Sequence, residues 1–194
     1  MITTVIFDFF GVVSSEVAPF WFGARFAHEE ALRLKQEYME PADHGDISKE
    51  ELFSRLSALS GEAAEDIEAE FSRLAVINRD TVEIIKALKG KYKVGLLSNA
   101  QAEWLEGIFL REDLHGLFDL EVISGRVRAT KPSAEIYRIA LERLNVTADE
   151  AVFIDDNPKN VAAAEALGIH GIVFESADKL RCDLSDLDVK ITKK

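Results

Sequence analysis

Beyond residue 76 the chain exchanges helical for strand patterning at short, regular intervals, and few architectures accept such a rhythm. Residues 80–89 place apolar side chains at helical spacing, 92–97 (Tyr-Lys-Val-Gly-Leu-Leu) form a short apolar run, and 101–111 return to the helical pattern. The exchange repeats through 119–123 (strand), 133–144 (helix), 151–154 (strand), 159–167 (an Ala-rich helix) and 171–174 (strand). Strands this short and apolar are buried on both faces, with the intervening helices serving as crossovers. The pattern predicts an α/β fold, a parallel sheet flanked by helices. Residues 3–7 (Thr-Thr-Val-Ile-Phe) supply one more buried strand, ended abruptly by Asp8.

Between that strand and residue 76 the rhythm is broken. From about Glu16 to Leu74 the pattern is helical, with Phe22, Phe26, Leu32 and Leu34 near helical spacing and a break expected from Pro41 to Asp46. A new helix is expected from Ser48, where Ser-Lys-Glu-Glu51 has the spacing of a capping box. The chain is thus read as an α/β core, residues 1–13 and 77–194, carrying an all-helical insert, 14–76. A helical piece of that size buries too little surface to stand alone, so it is expected to lean on the core. Phe20, Trp21 and Phe22, at its entrance, are expected to pack it there. The tail from Asp178 to Lys194 offers only charged and short apolar steps, the pattern of a docked or frayed terminus.

Composition narrows the class. Asp and Glu number 35 against 23 Lys and Arg, a net charge of -12, which repels nucleic-acid backbones and anionic lipid. A hydrophobic fraction of 47% is too high for a disordered chain. Cys182 is the sole cysteine, so neither an internal disulfide nor a cysteine-based zinc site is available. The first residues lack a basic region, and Asp8 interrupts the apolar run long before membrane-spanning length. These features predict a soluble, cytoplasmic protein with no nucleic-acid or membrane partner; they leave both a monomer and a homodimer open.

Ligands of open α/β sheets bind at the carboxyl ends of the strands, where this sequence places Asp8, Ser98-Asn99, the segment from Gly125 to Lys131, and Asp155-Asp156. Each has an ordinary reading. Asp8 suits a turn, Ser98-Asn99 a helix cap, and Asp155-Asp156 ahead of Pro158 another cap. Together they form a coherent set for phosphoryl transfer. The Asp8 carboxylate can attack phosphorus, a divalent cation held by Asp8 with Asp155 or Asp156 can bridge the two anions, Lys131 can balance the remaining charge, and Ser98 can donate to a phosphoryl oxygen.

The ordered segments Phe7-Asp8-Phe9-Phe10-Gly11-Val12-Val13, Leu97-Ser98-Asn99, Lys131-Pro132-Ser133-Ala134-Glu135-Ile136-Tyr137 and Val152-Phe153-Ile154-Asp155-Asp156-Asn157-Pro158-Lys159-Asn160 resemble the four motifs of the haloacid dehalogenase (HAD) superfamily, over essentially the whole chain. The group most resembled contains sugar-phosphate phosphatases and the phosphatase domain of soluble epoxide hydrolases. The resemblance implies a Rossmann-like sheet with a small helical cap inserted after the first strand, and Mg²⁺-dependent hydrolysis of a small phosphorylated metabolite. It implies Asp8 as nucleophile and metal ligand, Ser98 as phosphoryl binder with Asn99 beside it, Lys131 as the motif lysine, and Asp155 and Asp156 as the metal-holding acids.

One position departs from that pattern. Most phosphatases of the family carry an acid–base aspartate two residues after the nucleophile, where this chain has Phe10. In the family the backbone carbonyl there is the metal ligand, so Phe10 retains that function while losing proton transfer, commonly worth about 10²- to 10⁴-fold in rate. Three readings follow. The chain is a phosphatase with a substitute acid, for which Glu16, His28 and His44 are candidates; or a 2-haloacid dehalogenase, whose relatives place an aromatic residue and glycine at this point but lack the paired acids; or a degenerate member that binds a phosphorylated ligand or partner without turnover. The turn His44-Gly45-Asp46 and Trp104 are further candidates for the crevice wall.

Overall fold

The computed structural model describes residues 1–191 and contains one sheet of five parallel strands. They are β1 (Thr4–Phe7), β2 (Lys93–Ser98), β3 (Leu120–Ile123), β4 (Ala151–Asp155) and β5 (His170–Val173), in the order β3-β2-β1-β4-β5. The central strand is buried along its whole length, as its apolar run requires. Side chains alternate between two cores. Val5, Phe7, Val94, Leu96, Val152 and Ile154 face one. Ile6, Leu97, Val122 and Phe153 face the other. The first core is closed by α5 (Arg79–Leu88), α6 (Ala102–Glu112) and α10 (Ala177–Asp186), the second by α8 (Ala134–Leu144) and α9 (Pro158–Glu165). This is the flanked parallel sheet expected from the alternating pattern.

Four helices lie between β1 and α5: α1 (Ala18–Gly23), α2 (His28–His44), α3 (Lys49–Ser60) and α4 (Ala64–Leu74). Their apolar faces continue the first core without a gap through Trp21, Phe22, Phe53 and Phe71. The Phe71 ring meets Trp104 of α6 edge-on, centroids 5.6 Å apart, and so ties α4 to the sheet's own helices. Each such fully buried aromatic contributes about 1.5–3 kcal/mol relative to exposure. The entrance cluster divides: Trp21 and Phe22 are buried as expected, whereas Phe20 is 61% exposed. Arg25 clasps the insert internally, reaching Glu62 at 2.6 Å and Glu70 at 2.5 Å while lying over the Trp21 ring.

The break expected at Pro41 does not occur. α2 runs through it and ends at Gly45, whose φ of +81° is the left-handed conformation that stops a helix. A proline forfeits one intrahelical bond, and here the packing of Met39 and Ala42 on either side carries the helix past it. The capping box is half formed: Ser48 accepts the Glu51 N–H, but the Glu51 side chain turns to Arg55. In the tail, residues 177–186 form α10 and dock through Leu180 and Leu184; of that tail, residues 192–194 lie outside the described residues. Among the described residues no helix is long and apolar enough to cross a membrane.

Candidate active site

The chain winds outward from β1 through β2 to β3, then returns to lay β4 on the other side of β1. That reversal opens a crevice at the strand ends. Asp8 follows β1 directly and donates its N–H to Ile154 O at 2.8 Å, so it stands beside Asp155, the last residue of β4. Lys131 comes from the loop between α7 (Ser124–Val127) and α8. Its Nζ lies 2.7 Å from Asp8 Oδ1 and 2.7 Å from Asp155 Oδ2. All three groups are buried, where charge is tolerated only with close partners.

The surrounding hydrogen bonds hold this arrangement. The Asn99 side chain accepts the Lys131 N–H at 2.8 Å and donates to the Lys131 carbonyl at 3.0 Å, fixing the loop from which the lysine reaches. Asp155 accepts from the Asn157 N–H and from Asn160 Nδ2, and Asp8 Oδ1 accepts from the Phe9 N–H. The capping alternatives for these residues do not hold. Gln101 caps α6 and Asn157 caps α9, so Ser98-Asn99 and the acidic pair are not used as caps. Ser98 Oγ is buried and has no hydrogen-bond partner among the described residues. An unsatisfied hydroxyl of that kind costs about 1–3 kcal/mol, which a ligand oxygen would recover.

Asp156 completes the acidic group: carboxylate oxygens of Asp8, Asp155 and Asp156 lie within 4.8 Å of one another. Burial first, and then the Asp155 field, push Asp8 well above the usual carboxylate range against the pull of Lys131. Burial, then Glu16 and Asp155, push Asp156 up to about 6. For Lys131 burial pulls downward, but the fields and hydrogen bonds of Asp8 and Asp155 together outweigh it and raise the ammonium. The turn after Asp8 makes room for this group through Gly11. Its φ is +83°, and a Cβ there would sit 2.3 Å from Asp156 Cγ. Gly11→Ala is expected to displace Asp156 and weaken divalent-cation binding about 10-fold or more, read as a smaller Mg²⁺-induced rise in Tm. An unchanged Mg²⁺ titration would disconnect Gly11 from the acids.

A cleft of about 160 Å³ opens above these residues. Phe10 forms its wall, with the ring stacked on Trp104 at 5.2 Å between centroids and planes 7° apart. Trp104 therefore belongs to the crevice as well as covering the sheet. Of the three substitute acids named from sequence, Glu16 lines the cleft. His28 is exposed at the start of α2, and His44 pairs with Asp46 in a separate hollow beside Thr130. The sequence reading missed Lys35, Met39 and Asp43, which line the cleft from α2. Their spacing of four residues puts them on one helical face, a pattern visible in the sequence once α2 is known to run unbroken.

The family model for haloacid dehalogenase-like hydrolases matches residues 2–168. A phosphorylated carbohydrates phosphatase of Thermotoga maritima is 36% identical over 103 residues, 52% of this chain and 47% of that protein. An (S)-2-haloacid dehalogenase of a Pseudomonas species is 27% identical over 101 residues, 52% of this chain and 44% of that one. The chain spans less than half the length of the curated relatives it matches first. In fold it is similar to a HAD family enzyme of Bacteroides thetaiotaomicron, solved in complex with magnesium and inorganic phosphate. The TM-score is 0.76 at 21% identity, covering 93% of this chain and 99% of that one. With the family match running from β1 through β4 and α9, the chain belongs to the haloacid dehalogenase-like hydrolases.

Proposed function

We propose that the protein hydrolyses a small phosphorylated metabolite, a phosphomonoester, with Mg²⁺ and through an aspartyl phosphate on Asp8. The observation that carries this reading is the balance of charge in the crevice: three carboxylates are gathered there, and the one buried lysine pairs with two of them, Asp8 and Asp155. That set is short of positive charge, and its all-oxygen donors suit Mg²⁺. Asp8, Asp155, Asp156 and the backbone carbonyl of Phe10 would hold the ion. When bound, it offsets the repulsion between the nucleophile and the phosphoryl oxygens.

The chain's own groups do the rest. Asp8 attacks phosphorus, Lys131 offsets charge on the nucleophile and the transferring group, and the unpaired Ser98 hydroxyl donates to a phosphoryl oxygen. Asn99 keeps Lys131 in place through its backbone. In this reading residues 1–13 and 77–194 are the catalytic core, and 14–76 form a cap that excludes water from the crevice.

Dehalogenation is the competing reading, supported by the dehalogenase relative and by Phe10-Gly11 after the nucleophile. It leaves two further acids at the nucleophile without a cation to hold, which is costly in a buried site. A panel of phosphomonoesters assayed with Mg²⁺ or chelator, with halide release from 2-haloacids measured alongside, separates the two. Phosphate release abolished by chelator supports the phosphatase, and metal-independent halide release replaces it with the dehalogenase. Mg²⁺ at about 100 times its dissociation constant is also expected to raise Tm by roughly 5–10 °C. Thermal unfolding that ignores Mg²⁺ would remove the metal from the reading.

A further inference from the structure

Residue 10 carries no acid, and its ring is committed to the cleft wall against Trp104. Another acid faces the same cleft from above: Asp43 lines it together with Asp8, Lys131 and Asp156. Its backbone is fastened to the sheet side of the crevice. Ser124 Oγ donates to the Asp43 carbonyl at 2.5 Å and accepts the Ala100 N–H at 2.9 Å, so one buried hydroxyl joins the end of α2 to the loops after β2 and β3. Two residues on, Gly45 lies so close to Gly125 that a Cβ would sit 2.4 Å from the Gly125 carbonyl oxygen. Asp43 is therefore held by packing and hydrogen bonding over the strand ends, unlike a solvated residue at a helix end.

We infer that Asp43 performs the proton transfer that Phe10 cannot, as general acid to the leaving group and then general base to water. The inference rests on the phosphatase reading above. In the first step Asp8 Oδ forms its bond to phosphorus as the ester P–O bond breaks, and the Asp43 proton passes to the departing alkoxide oxygen. In the second, water attacks phosphorus and gives a proton to the Asp43 carboxylate. The phosphorus bond to Asp8 then breaks, leaving inorganic phosphate and free Asp8. The groups acting on Asp43 fit both steps. Burial first, with Glu16 and Glu40, raises its carboxyl to about 7, while Lys35 from the preceding turns of α2 and Lys131 from below pull it down. An acid poised there is populated in both protonation states near neutrality.

The test compares two esters on the full chain with Mg²⁺: an alkyl phosphate, whose leaving group needs a proton, and p-nitrophenyl phosphate, whose leaving group does not. Asp43→Asn is expected to lower kcat/KM for the alkyl ester about 10²-fold or more and for the aryl ester far less. For the alkyl ester, activity that depends on the protonated acid declines as pH rises through the Asp43 pKa, and this limb should vanish in Asp43→Asn. Lys35→Met removes a cation that favours the carboxylate, so it should move the same limb to higher pH; this holds whether or not Asp43→Asn folds. Equal losses on both esters, a pH profile unmoved by both substitutions, or a leaving-group-dependent loss in Glu16→Gln with none in Asp43→Asn would each overturn the assignment. Phosphate release that needs Mg²⁺ and Asp8 is scored first in the unsubstituted chain. With that intact, these outcomes fail Asp43 alone, whereas its absence fails the phosphatase reading and Asp43 with it.

Discussion

Asp8→Asn is expected to abolish Mg²⁺-dependent phosphate release, by roughly 10⁴-fold or more, and to leave the protein folded. Asparagine keeps the volume and can still accept the Phe9 N–H and a hydrogen bond from Lys131, so the local geometry survives. What is lost is the carboxylate that attacks phosphorus in the proposed reaction. The stability of the metal-free protein should hold or rise. A carboxyl whose folded pKa lies above its unfolded value costs the fold increasingly as pH climbs past the unfolded value, and Asp8 is such a group. Removing its charge removes that cost at neutral pH, while Lys131 keeps Asp155 as a partner. Steady-state phosphate release and thermal unfolding with and without Mg²⁺ check both halves. Turnover that survives the substitution would refute Asp8 as nucleophile.

Lys131→Met has the opposite signature, a large loss of stability alongside the loss of activity. Methionine fills the space but leaves Asp8 and Asp155 buried without their shared cation. Breaking a buried pair from one side typically costs about 3–5 kcal/mol, which for a chain of this size lowers Tm on the order of 10 °C. The loss should be greatest in chelator at mildly alkaline pH. It should shrink as falling pH protonates Asp8, whose carboxyl burial holds above its ordinary range, and shrink again when Mg²⁺ supplies positive charge to the same acids. Thermal unfolding across those conditions decides the matter: a Tm depression independent of pH and Mg²⁺ would mean that the lysine packs the loop and does not serve the acids.

What the sequence made legible was the set of residues at strand ends. Asp8, Lys131 and the acidic pair each follow a short apolar run or its loop, and strand order alone brings them together. Asn99 was visible as a residue but not as a clasp, because its partner is 32 residues away across the neighbouring β3 connection. Asp43 was not visible at all. In sequence it sits three residues from the exposed Asp46, and nothing local distinguishes them. Its half-buried place over the cleft comes from α2 continuing past Pro41 and docking on α7, a tertiary outcome that overrides the breaking tendency of proline. Helix α10 was missed for a milder reason. Ser176 caps it, but Lys179 stands where a capping-box glutamate would have announced it, and its buried stripe of Ala177, Leu180 and Leu184 is short.

The strand order also bears on how the chain comes to be folded. Thr4 of β1 pairs with Lys93 on one side and Ala151 on the other. Pairings between residues so far apart in the chain are formed slowly, because a long loop must close before any contact rewards it. During synthesis β1 is made before either neighbour, and a strand buried along its whole length in the finished sheet waits unpaired. The helices that follow it immediately are the available cover, since Trp21, Phe22 and Phe71 belong to the same core as Val5 and Phe7. The insert is thus placed in the chain where it can shelter the strand that carries Asp8 before β2 and β4 exist to flank it.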